Sequence, residues 1–144
     1  MANIIPNSFF KNIMNGSIDL DTDTIKVMIL TSSHTPSADD DEFIDDVSSN
    51  EVSGTGYTAG GPTLSGAAVT QNNTNNKGVF DADDVSISSS SITGRYAVVY
   101  QDTGTASTSR IITEEDFGED KTSDAGTFTI TWNASGIVTM QQSA

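Results

Sequence analysis

Apolar and polar residues alternate with a period of two along most of this chain, the signature of half-buried strands. Thr127–Trp132 shows it most cleanly, with Phe128, Ile130 and Trp132 on one face and three threonines on the other. Asn133-Ala134-Ser135-Gly136 then reads as the turn of a hairpin returning through Ile137–Met140. Thr24–Leu30 carries Ile25, Val27 and Ile29 on one face but Met28 and Leu30 on the other, which predicts a central strand covered on both sides. Arg95–Tyr100 has the same character, and weaker strands are predicted at Thr63–Thr70, Lys77–Phe80, Asp84–Ser88 and Ser109–Thr113. A helical period occurs only near the N-terminus, where Phe9, Phe10, Ile13 and Met14 predict one apolar face. Asn7 is placed to cap that helix and Gly16 to end it. At about two turns it must dock on a larger body to persist.

The segments between are turns and loops. Thr31–Asp46 is polar and acidic, with Phe43 and Ile44 as its large apolar anchors. Gly54–Pro62 suits a tight corner, with glycines free to take positive φ and Tyr57 able to lie across a sheet edge. Short strands joined by Gly, Ser and Asp turns, without strand–helix alternation, predict a mainly β fold. The expected form is an antiparallel β-sandwich or jelly-roll-like barrel with one short N-terminal helix. A single domain over residues 1–144 is expected, with an arm and helix at about 1–16.

Composition narrows the function classes. The chain has no Cys, which removes disulfides, Cys-ligated zinc and thiol nucleophiles. Six Lys+Arg against 20 Asp+Glu give a net charge of −14, and so sparse a cationic set cannot line a phosphate backbone. No nucleic-acid partner is therefore expected. No window approaches the apolar length of a membrane span, so no membrane partner is expected either. The N-terminal stretch lacks the basic region and apolar run of a secretory signal.

Candidate chemistry is thin. Asp19-Leu20-Asp21-Thr22-Asp23 opens like a calcium loop, but Thr24 and Leu30 stand where an EF-hand needs Gly and Glu, so an acidic turn is expected. Asp39–Glu42 and Asp81–Asp84 read as solvated acidic faces. His34, the one histidine, lies in Ser32-Ser33-His34-Thr35-Pro36 and reads as a turn residue, since no Gly-x-Ser-x-Gly elbow accompanies it. Glutamates are few, and the adjacent Glu114 and Glu115 would point to opposite faces of a strand, unlike the facing acids of a glycosidase. Gly54–Pro62 lacks the Gly-Lys-Ser/Thr ending of a phosphate loop. The sequence thus predicts no catalytic residue, no cofactor and no metal site.

One ordered series gives a resemblance. It runs from Asn15-Gly16 and Asp21–Val27 through the Gly54–Pro62 corner and Leu64-Ser65-Gly66 to Gly78–Val85. Arg95–Tyr100, Asp116-Phe117-Gly118 and Phe128–Trp132 complete it. This series, spanning about Phe9 to Met140, resembles a family of small virion proteins of tailed bacteriophages, some of them head-decoration or capsid-cement proteins. The acidic, Ser-rich stretch near Asp39–Ser49 departs from the family pattern. The resemblance implies a non-enzymatic structural role on the outer surface of a phage head, after synthesis in the host cytoplasm. It also implies the major capsid protein as partner, and symmetric sites suggest self-association as a trimer. Ile4, Ile5, Phe43, Ile44 and Tyr57 are the candidate capsid or subunit contacts. A tail or fibre component is the alternative. A carbohydrate-binding sandwich is a second, which would need an exposed platform among Tyr57, Tyr100 and Trp132.

Overall fold

A computed structural model describes residues 2–142; Met1, Ser143 and Ala144 of the expected domain lie outside the described residues. In chain order the elements are β1 (Ala2–Ile4), α1 (Asn7–Met14), β2 (Ile25–Leu30), α2 (Ile44–Val47), β3 (Ala68–Asn72), β4 (Lys77–Asp81), β5 (Val85–Ser90), β6 (Thr93–Gln101), β7 (Ile111–Thr122), β8 (Gly126–Ile130) and β9 (Val138–Gln141). Strands take 42 % of the chain against 13 % in helices, and the strand pairs are antiparallel, so the fold is mainly β, as the alternation predicts.

A four-stranded sheet in the order β1-β7-β6-β2 forms one layer. The second layer holds two smaller sheets, β3-β4-β9 and β5-β8. Ile25, Val27 and Ile29 of β2 join Ala97 and Val99 of β6 in packing against Phe80, Ile87, Phe128, Ile130 and Val138 of that layer. The opposite face of the large sheet presents Met28, Leu30, Val98, Tyr100 and Ile111, and Ile44 and Val47 of α2 cover it. The two apolar faces read from Thr24–Leu30 therefore meet two separate cores.

Although β2 ends the row of strands, its outer edge is closed by residues 50–64. Val27 N–H donates to Pro62 O at 3.0 Å, Ile29 O accepts from Val52 N–H at 3.0 Å, and Leu64 N–H donates to Ile25 O at 2.8 Å. Between them Ile29 N–H donates to the Tyr57 hydroxyl at 3.1 Å, which itself donates to Glu51. An open edge of apolar β-branched residues would invite pairing with other chains. The glycine-rich corner prevents this by lying flat against the strand. A Cβ built on Gly61 (φ +74°) would stand 1.7 Å from Val27 O, so only glycine permits the approach.

Five local expectations change. Thr127–Trp132 and Ile137–Met140 do not form a hairpin: β8 pairs with β5 and β9 with β4. Trp132 is held by Asp84 Oδ1 and Asp83 O, and Ile137 N–H then donates to Phe80 O, so the turn at 133–136 carries the chain from one sheet to another. Of the four large apolar residues of α1 only Phe9 and Ile13 turn inward, whereas Phe10 and Met14 are 42 % and 80 % exposed. These are two i, i+4 pairs on adjoining faces, of which one is buried. Asn7 is the first helical residue and Pro6 the cap; the Asn7 side chain reaches Asp39 instead. Gly16 does take the left-handed conformation past the helix end (φ +77°). The strand expected at Thr63–Thr70 begins only at Ala68, and that expected at Ser109–Thr113 extends as β7 to Thr122.

Gly61→Ala should cost more than ~4 kcal/mol in denaturant unfolding, because backbone overlap adds to conformational strain. Gly104→Ala is the control: it has positive φ (+84°) but open space, and should cost only about 1–2 kcal/mol.

Candidate functional site

β7 carries two adjacent glutamates through the interior of the large sheet. Glu114 lies opposite Val98 on β6 and Ile4 on β1; Glu115 lies opposite Ala97 and Asn3. Neighbours on a strand face opposite ways. Glu114 therefore enters the face covered by the acidic loop, and Glu115 the other, as their adjacency predicts. The register shift where Tyr100 opposes Ile111 and Val99 opposes Thr113 sets which glutamate goes where.

Glu114 meets His34. His34 Nε2 stands 2.7 Å from Glu114 Oε1 and 3.6 Å from Asp41 Oδ2, and all three residues are buried. The His34 ring packs edge-on against Tyr96, with centroids 5.5 Å apart. Asp41 Oδ2 also accepts the Ser37 N–H at 2.7 Å. Burial pushes the Glu114 carboxyl up, the hydrogen bond to His34 pulls it back, and the Asp41 carboxylate pushes it up again. Among the described residues this is the one set of three His, Asp or Glu side chains whose potential ligand atoms all lie within 4.8 Å of one another.

The sequence reading of His34 as a turn residue is half of what the structure shows. His34 N–H closes a turn onto Thr31 O, yet its ring enters the interior. What the sequence concealed is that Glu114, 80 residues away, is its partner. The one available signal was a lone histidine close to Asp39-Asp40-Asp41, together with glutamate in an apolar β-rich run.

Glu115 faces a separate cavity of about 370 Å³ at the end of the sandwich, lined also by Asn3, Ile5, Trp132, Asn133 and Thr139. Burial pushes its carboxyl up to about 7. Among the described residues of that lining Glu115 is the one titratable side chain, so the cavity can exchange a proton near neutrality.

The five candidate contact residues are scattered. Ile4 is exposed on β1, at the opposite end of the large sheet from Tyr57, whose hydroxyl is used in closing the β2 edge. Ile5 is half-buried against the main core. Phe43 is half-buried and bridges to Arg110, and Ile44 is buried beneath the large sheet. Tyr100 and Trp132 are buried as well, at 3 % and 6 % exposure, so they offer no flat sugar platform. Asp19-Leu20-Asp21-Thr22-Asp23 folds as an acidic turn: Asp19 accepts the Asp21 N–H, and Asp23 accepts the Asp19 N–H and the Gln101 amide. Exposed Phe10 and Met14 were missed as surface residues because the sequence assigned them to the docked face.

Compared with known proteins, the chain matches no family model, no curated protein and no solved structure.

Glu115 makes stability depend on pH with a definite sign. Its folded value, about 7, exceeds the ordinary 4.5, so the fold binds its proton more tightly than the unfolded chain does. Its cost to folding is absent below about pH 4.5, grows as pH rises towards about 7 and then levels off, at up to about 3 kcal/mol. The difference in unfolding free energy between the wild type and Glu115→Gln, measured by urea titration, should change by that amount between pH 4.5 and 8.

Proposed function

We propose that the chain is a non-enzymatic virion structural protein that binds the outer surface of a phage capsid and stabilises it as a decoration or cement protein. The observation that carries this reading is apolar surface left exposed at the N-terminal end of an acidic chain, with Val69 on β3 and Met140 on β9 exposed as well. Ile4, Phe10 and Met14 are exposed at that end although a net charge of −14 marks the chain as a whole. Apolar side chains left uncovered beside a charged exterior favour burial against a partner. The anionic charge disfavours contact with packaged DNA, which suits an outward position.

The resemblance of the ordered residue series to phage virion proteins supplies the partner, the major capsid protein. Binding around local symmetry axes would add contacts between neighbouring capsid subunits, and a homotrimer fits such axes. Of the expected contacts, Ile4 is the one whose exposure suits this role, with Phe10 and Met14 beside it in sequence; Ile44 and Tyr57 serve the chain's own packing.

Purified protein mixed with heads lacking it should co-sediment with them. Phe10→Asp combined with Met14→Asp should weaken that binding at least ~10-fold while leaving the far-ultraviolet circular dichroism unchanged, because both residues are exposed. No co-sedimentation at low or high salt would overturn capsid attachment, and binding to purified tails instead would place the protein there.

A further inference from the structure

We propose that His34, Asp41 and Glu114 form a binding site for one divalent transition-metal ion of the zinc class. The site joins the acidic loop to β7 and is independent of the capsid reading. Three features of the geometry converge on it.

The first is the set of donors. One imidazole nitrogen and two carboxylates are the ligand types zinc accepts in the absence of cysteine. Bonds of about 2.0–2.1 Å in a tetrahedral arrangement require donor atoms about 3.3 Å apart. The separations from His34 Nε2, 2.7 Å to Glu114 and 3.6 Å to Asp41, lie on either side of that distance. The His34–Glu114 separation would have to open by about 0.6 Å and the His34–Asp41 separation to close by about 0.3 Å.

The second is an orphaned oxygen. The Glu114 side chain is completely inaccessible; Oε1 engages His34, but Oε2 is buried with no hydrogen-bond partner. A buried carboxylate oxygen without a partner is costly and rare. His34 Nε2 has a single proton or lone pair to offer and cannot serve both acids. A cation between them gives all three groups a common partner.

The third is charge. Two carboxylates beside one imidazole leave a net negative charge in a buried place, whether or not the ring is protonated, unless a carboxyl holds a proton. A divalent ion with a neutral imidazole and two carboxylates sums to zero. The nitrogen ligand favours zinc, cobalt or nickel over calcium and magnesium, which prefer oxygen. Asp41 is the least enclosed of the three, so a water could complete the coordination from that side.

The test uses the full chain, stripped with a chelator and then titrated with zinc chloride in a calorimeter. One equivalent should bind saturably, and the thermal midpoint should rise by several degrees. Glu114→Gln, which keeps the side chain's shape, and His34→Ala should each weaken binding at least ~100-fold, whereas Asp81→Asn, on β4, should leave it unchanged. Should either site variant fail to fold, cobalt(II) bound to the wild-type chain supplies the answer: an intense visible spectrum of low coordination number is expected. No saturable binding, equal binding by the wild type and Glu114→Gln, or only the faint spectrum of hydrated cobalt would overturn the proposal.

Discussion

Both faces of β2, β6 and the first half of β7 are buried, and that constraint organises the rest of the molecule. A strand covered on one side can discard polar groups into water from the other; β2, β6 and the first half of β7 cannot. The second layer of strands covers one face, and loop 31–47 with α2 covers the other. The remaining edge of β2 would still expose backbone groups between two cores. The chain closes it with residues 50–64, whose glycines allow backbone to lie directly on backbone.

The same constraint explains why charged residues of β7 become chemically distinctive. Glu114 and Glu115 occupy interior positions because the strand that bears them must continue the sheet. Each carboxyl is therefore desolvated, and each requires a local remedy. Glu114 draws His34 and Asp41 over it, which pins the acidic loop to the sheet. Glu115 opens onto a cavity and retains its proton up to about pH 7. Two adjacent residues of one type thus acquire different chemistry from the face each enters. Arg95, by contrast, pairs with Asp116 nearer the surface, where the same strand emerges into solvent.

The fold class could be read from the sequence because it depends on a period, and Ile25, Val27 and Ile29 against Met28 and Leu30 state theirs plainly. Pairing could not, because alternation fixes which way side chains face and not which strand lies beside which. Thr127–Trp132 and Ile137–Met140 had every mark of a hairpin, yet the Asp83-Asp84 anchors on Trp132 send the two strands to different sheets. The length of β7 was hidden for a related reason: an acidic run resembles a loop until partners across the chain are known. The His34 cluster was illegible for the same cause, Glu114 lying 80 residues from His34. On α1 the sequence placed two i, i+4 pairs on one docked face, and only the body against which the helix docks selects Phe9 and Ile13 over Phe10 and Met14.

We propose that this small acidic sandwich, closed along β2, attaches to a capsid through Ile4, Phe10 and Met14 at its N-terminal end. Three-dimensional density of whole particles tests that most directly. The account predicts copies over the icosahedral shell, with β1 and α1 turned towards the major capsid protein and the acidic loops towards solvent. Copies confined to the tail, lying inside the shell, or bound through the opposite end would contradict it.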